Sequence, residues 1–169
     1  MESHQILSIE LGRLLLKHNH VLATAESCTG GGVATAVTDI AGSSAWFDRA
    51  FVTYSNEAKM EMLDVLPDSL EQYGAVSETI VEQMVQGALK NSNATIAVSI
   101  SGIAGPGGAS AEKPVGTVCF AWANKTGWQQ VMTQHFSGDR SEVRSQAVEY
   151  AIKILCDYLG EELSVFDEG

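Results

Sequence analysis

Three stretches, far apart in the chain, hold side chains able to do nucleophilic chemistry. In T-A-E-S-C-T-G-G-G (24–32), Ser27 falls where a short apolar run gives way to small residues and glycine. That change reads as a strand turning into a helix. Such a corner exposes a hydroxyl at the sheet edge, with unpaired helical N–H groups behind it that can hold an oxyanion. Gly30, Gly31 and Gly32 let a ligand or a neighbouring backbone come close. An N-capping serine followed by tight helix–sheet packing explains the same letters. The stretch is not G-x-S-x-G, so the pattern of the triad hydrolases does not apply.

A serine nucleophile needs a base. The four histidines are His4, His18, His20 and His135, and none sits in a clear Ser-His-Asp context. His18-x-His20 could bind a metal, but it also reads as a solvated helix end. A lysine serves instead when burial or nearby positive charge depresses its pKa. Y-S-N-E-A-K (54–59) puts Tyr54 at a strand end and Lys59 about one helical turn further on, where both can face the edge that carries Ser27. A surface lysine beside a capping Asn56 is the alternative. A thiol route is open too, with Cys28 as nucleophile in a Glu26–Lys59–Cys28 set. Adjacent residues cannot both aim at one carbon, so the two routes exclude each other.

S-G-I-A-G-P-G-G (101–108) follows an apolar strand and can offer N–H groups to a phosphate or ribose, although Gly-Pro-Gly is also a generic turn. It is neither a Walker loop nor G-x-G-x-x-G before a helix. E-K-P-V-G-T-V (112–118) opens the next strand, and its Lys113 is either functional or a residue of the loop rim. In F-S-G-D-R (136–140), Asp139 can cap a helix, and Arg140 is either a fork for phosphate or carboxylate or an exposed first-turn arginine.

The elements that must position these groups follow from periodicity. Residues 4–18 read as an amphipathic helix with Ser3 as N-cap, 20–27 as a buried strand, and 28–42 as a helix of small residues ending at Gly42. A strand over 49–55 leads into a helix over 56–65, capped by Ser55 or Asn56. Ser77 caps a helix within 76–92. A near-continuous apolar strand covers 94–105, a hairpin joins 113–124 to 128–138 near Lys125–Gly127, and a long helix closes 139–160. The acidic tail 161–169 is expected to fray. The order α-β-α-β-α-α-β-β-β-α fits one α/β sandwich domain over 1–169, with a mixed sheet flanked by helices.

Bulk properties narrow the function. At 169 residues the chain can bury roughly 68–70% of its unfolded surface. A net charge of −11 argues against a nucleic-acid partner, which needs clustered Lys and Arg, but leaves room for a small anionic ligand held by one arginine and a few amides. Cys28, Cys119 and Cys156 form no C-x-x-C pair, so neither a disulfide framework nor structural zinc is expected. The N-terminal stretch lacks a secretory h-region, and no apolar run is long enough to span a membrane. A cytoplasmic protein with reduced thiols is the expectation, and a homodimer is expected on frequency alone.

Taken together, T-A-E-S-C-T-G-G, G-S-S (42–44), Y-S-N-x-x-K, S-G-I-A-G-P, K-P-V-G-T-V (113–118) and G-D-R (138–140) resemble the C-terminal domain of the competence-damage-inducible protein CinA. They are most similar to its stand-alone members, the nicotinamide-nucleotide amidases. The motifs run in family order from about residue 5 to 160, and one domain leaves no room for the extra N-terminal domain of larger CinA proteins. The resemblance implies hydrolysis of nicotinamide mononucleotide to nicotinate mononucleotide and ammonia, without cofactor or metal. It implies Ser27 as nucleophile, Lys59 as base, and Tyr54 orienting the lysine or relaying its proton, with the helix amides after Ser27 holding the oxyanion. It places Cys28, Thr29, Gly30, Ser44, Asn56, Ser101, Gly102 and Arg140 around the substrate, with Arg140 on the phosphate. Ser44 could instead join the catalytic group. Ala109 replaces a glycine frequent in relatives, which touches only loop shape.

Overall fold

A computed structural model describes residues 2–168, with side chains for residues 3–160. Five strands form one mixed sheet in the order β2-β1-β3-β4-β5. They are β1 (Leu22–Glu26), β2 (Phe47–Val52), β3 (Ile96–Gly102), β4 (Thr117–Asn124) and β5 (Gln129–His135). β1 runs parallel to β2 and β3, and the β4–β5 hairpin adds antiparallel strands to β3.

Helices cover both faces. α1 (Glu2–Lys17), α2 (Gly32–Thr38) and α6 (Arg140–Glu168) pack on one, over a core that includes Leu11, Leu15, Val98, Phe120, Trp122 and Ile152. α3 (Asn56–Leu63), α4 (Pro67–Tyr73) and α5 (Glu78–Lys90) pack on the other, over Ala23, Ala25, Leu63, Ile80, Met84 and Ala97. Gly87 lets α5 approach α3 closely, since a Cβ there would lie 2.0 Å from the Leu63 carbonyl oxygen.

The sandwich and its mixed sheet match the expectation, and several element ends differ for local reasons. The helix expected over 28–42 begins only at Gly32, because Gly30 and Gly31 take positive φ values of 59° and 98° that no helix admits. Its end falls at Thr38, and a 3₁₀ turn, Ser43–Ala45, intervenes before β2. α3 stops at Leu63, where Asp64 turns left-handed at φ 60°. α4 was not expected; its signal is Pro67 in the first turn. Ser3 lies inside α1 rather than capping it. α6 continues to Glu168, where a frayed tail was expected after residue 160. Ser55, Ser77 and Asp139 cap as expected, taking the amides of Ala58, Ile80 and Glu142.

Connectivity sets the site. From β1 the chain passes through α2 on one face to β2, then through α3, α4 and α5 on the other face to β3. The chain therefore leaves the carboxyl ends of the neighbouring strands β1 and β3 in opposite directions. That is where open α/β sheets bind ligands.

Candidate active site

Strand alternation decides which face each residue of the first motif serves. Leu22 joins the core under α1, α2 and α6, while Ala23 and Ala25 join the core under α3–α5. Residue 27 therefore continues the α3–α5 side, and residues 26 and 28 the opposite one. The contacts agree. The Glu26 carboxylate is fully buried and accepts from Thr24 Oγ1 (3.0 Å), Thr29 Oγ1 (2.7 Å), Val33 N (3.0 Å) and Ala34 N (3.0 Å). Cys28 turns its thiol into the α2/α6 core, and burial pushes its pKa up to about 11. Neither group hydrogen-bonds Lys59, which is taken by Ser27 and Thr53, so no Glu26–Lys59–Cys28 set forms; the thiol is near enough to feel the lysine charge, but burial disfavours a thiolate at position 28.

Ser27 does not cap α2, whose N-cap is Gly31. Its hydroxyl lies 3.0 Å from Lys59 Nζ. Lys59 and Leu63 occupy the buried face of α3, four residues apart, so the amine stands where a core side chain would. Lys59 is 1% exposed, and its Nζ also donates to the Thr53 carbonyl at 2.8 Å. Among the described residues no carboxylate lies within ion-pair distance of it. Burial of the ammonium therefore lowers its pKa from 10.5 to about 8. The histidines bond elsewhere: His4 to the Ser145 carbonyl, His20 to Thr95 and His135 to Thr117. No cluster of three or more potential metal ligands occurs among the described residues, His18 and His20 included.

The Ser27–Lys59 pair opens into a cleft of about 260 Å³, lined also by Asn56, Ser101, Gly102, the 103–108 loop and Arg140. A larger cavity of about 790 Å³ lies on the opposite, α1/α2/α6 side and contains neither Ser27 nor Lys59. Tyr54 lines this cleft, yet its exposed hydroxyl accepts from Arg140 (3.1 Å) rather than meeting Lys59. Arg140 also donates to the Gly105 carbonyl at 2.7 Å and so bridges the cleft mouth. Lys113 sits at the loop rim, donating to the Tyr73 carbonyl.

Three expected substrate contacts lie apart from the cleft. Thr29 is buried against Glu26, and Gly30 borders the larger cavity. Ser44 sits in the 3₁₀ turn before β2, at the sheet end opposite Ser27. The amides of Val33 and Ala34 are already bonded to Glu26, so the start of α2 cannot supply the oxyanion donors expected of it.

The model of the CinA C-terminal domain matches residues 4–159. The chain belongs to the CinA C-terminal domain family. Relatives within it include the nicotinamide-nucleotide amidohydrolase PncC of Enterobacter agglomerans, 57% identical over 147 residues, covering 87% of this chain and 90% of that protein. PncC of Escherichia coli K12 is also 57% identical, over 149 residues, with coverages of 88% and 90%. The crystal structure of the competence/damage-inducible protein CihA from Agrobacterium tumefaciens superposes with a TM-score of 0.91 at 43% identity, covering 94% of this chain and 96% of that one. Within this CinA domain, two contacts around the Ser27–Lys59 pair went unseen in sequence: the Thr53 carbonyl that holds Lys59, and Arg144, which reaches back to the turn after Ser27. The first is a backbone atom, which no letter reports. Arg144 had a signal in standing one helical turn beyond Arg140.

Proposed function

We infer that this chain is a nicotinamide-nucleotide amidohydrolase, converting nicotinamide mononucleotide and water to nicotinate mononucleotide and ammonia, with Ser27 as nucleophile and Lys59 as base. The observation that carries the mechanism is the 3.0 Å approach of a buried, carboxylate-free lysine to the Ser27 hydroxyl. Neutral Lys59 takes the hydroxyl proton as Ser27 Oγ adds to the carboxamide carbon, leaving an oxyanion. The tetrahedral adduct collapses, the C–N bond breaks, and Lys59 returns the proton to the departing ammonia. Water then adds to the acyl-serine ester with Lys59 again as base, and the acid leaves with Ser27 restored. The Thr53 carbonyl fixes the amine for both steps. Arg140 at the cleft mouth meets the phosphate, exchanging Tyr54 for it, and Asn56, Ser101 and Gly102 border the nucleotide between.

The relatives' printed activity supports this substrate, and the intact Ser27–Lys59 pair supports turnover rather than binding alone. Recycling of a pyridine nucleotide implies the cytoplasm; among the described residues no helix is long and apolar enough to cross a membrane. A homodimer belongs to the same reading, for which Ile6, Ile9 and Leu16 form an exposed apolar row on α1.

Ammonia release tests it. Nicotinamide mononucleotide should be turned over, and glutamine and free nicotinamide should not. Binding of the mononucleotide by calorimetry with no ammonia formed would make the chain a binding module instead. The pH profile tests the base. With a lysine at about 8, about a tenth is neutral at pH 7, so kcat/KM should rise about tenfold from pH 7 to 9 and level off. An ordinary lysine near 10.4 would give a rise of about a hundredfold with no plateau.

A further inference from the structure

The turn after Ser27 is held from two sides by groups outside the cleft. Glu26 takes Thr29 Oγ1 and the amides of Val33 and Ala34. From α6, Arg144 Nε donates to the Cys28 carbonyl at 3.0 Å and Arg144 Nη2 to the Thr29 carbonyl at 3.3 Å. Gly30 makes room for this, since a Cβ there would lie 3.2 Å from Arg144 Nη2. Within the turn, Ser27 N donates to Ile100, Gly30 N to Ser27 and Gly32 N to Thr29. The amides of Cys28 and Thr29, the two that follow the nucleophile, donate to no other residue among those described, the Cys28 N–H meeting only its own thiol.

Peptide geometry aims them. The Cys28–Thr29 bond is trans, so its N–H points opposite to its carbonyl. With the Cys28 carbonyl drawn towards Arg144, the Thr29 N–H faces away from α6. The Ser27 carbonyl is turned inward to Gly30 N, so the Cys28 N–H points out of the turn. Cys28 borders the cleft, while its side chain also packs into the α2/α6 core. A guanidinium on the carbonyl side of a peptide also strengthens the N–H of that peptide as a donor.

We propose that Arg144 is a positioning residue for the oxyanion site: it holds the Cys28 and Thr29 carbonyls and, through the Thr29–Gly30 peptide whose N–H holds the Ser27 carbonyl, fixes the Cys28 amide at the cleft as the donor that receives the developing charge. This rests on Ser27 being the nucleophile of an amidohydrolase. Arg144 does not line the Ser27–Lys59 cleft, so its loss should act on turnover and leave ground-state binding alone.

In Arg144→Ala, kcat for ammonia release should fall roughly 10–100-fold with KM within about twofold, less than the 10²–10³ of deleting an oxyanion donor outright. Arg144→Lys should be intermediate, because a single ammonium cannot match the fork over two carbonyls. Free guanidinium at millimolar concentration should restore much of the lost kcat in Arg144→Ala, entering through the 790 Å³ cavity that Arg144 borders. Unchanged kcat, a loss confined to KM, or a kcat loss that guanidinium does not rescue in folded protein would overturn the proposal. If Arg144→Ala fails to fold, the kcat and KM of Arg144→Lys decide alone, and an unchanged kcat there counts against it. Full ammonia release by Ser27→Ala would remove the serine reading and this one together. An inactive Ser27→Ala beside an unaffected Arg144→Ala would remove only this one.

Discussion

Replacing Ser27 by Ala should reduce ammonia release by at least about 10⁴-fold, since losing a serine that works with its base costs on the order of 10⁶ in kcat. The change deletes one oxygen at the cleft floor and leaves Lys59 its bond to the Thr53 carbonyl. Folding should survive, with a cost of about 1–3 kcal/mol for the hydrogen bond lost to a buried amine. Mononucleotide binding should persist in calorimetry, because the cleft walls and Arg140 are untouched. The neighbouring Cys28→Ala is the sharper comparison. Its thiol lies in the α2/α6 core with a pKa near 11, so this variant should keep kcat within about threefold and lose only packing, about 1 kcal/mol. Activity lost in Cys28→Ala and kept in Ser27→Ala would reverse the assignment of nucleophile.

That assignment shows where the sequence was legible. Serine and cysteine at 27 and 28 are equivalent as letters, and the choice between them is a choice of sheet face. An amphipathic strand would have shown its faces by alternation. L-A-T-A-E is buried on both sides, so apolar and small residues run together and the parity is hidden. Lys59 was more legible than the bare motif suggested, because it falls four residues before Leu63 on the stripe of α3 that meets the sheet. A charged residue on a core stripe is a local inconsistency of the kind expected at functional sites. The helix caps at Ser55, Ser77 and Asp139 were readable because capping is local chemistry. The placement of Ser44 was not, because it depends on which end of β2 the chain enters. Tyr54 stands at the right strand end but serves Arg140, a partner 86 residues away that no spacing links to it.

Replacing Lys59 by Met should abolish turnover and make the protein more stable. The amine is 1% exposed, and the drop from 10.5 to about 8 reports the cost of keeping it charged in the fold, at most roughly 3 kcal/mol. Methionine fills the space of the stem without that charge, while the Thr53 carbonyl loses its donor at about 1–3 kcal/mol. The balance favours the variant by up to about 2 kcal/mol at pH 7, a rise of up to a few degrees in Tm at this chain length. The sign with pH is fixed. Between about 8 and 10.5 the unfolded lysine keeps a proton that the folded one has released, so wild-type stability rises with pH across that window. Below 8 both states are protonated and the full cost remains. Met cannot titrate, so its advantage over wild type should be largest below pH 8 and fade towards 10.5; taking the difference cancels the other titrating groups. Parallel stability–pH curves for the two proteins would mean that Lys59 folds without a charge penalty, and the argument for a neutral amine at Ser27 would go with it. A stable but inactive Lys59→Met would show that the fold tolerates this destabilising residue for the sake of the proton it must accept.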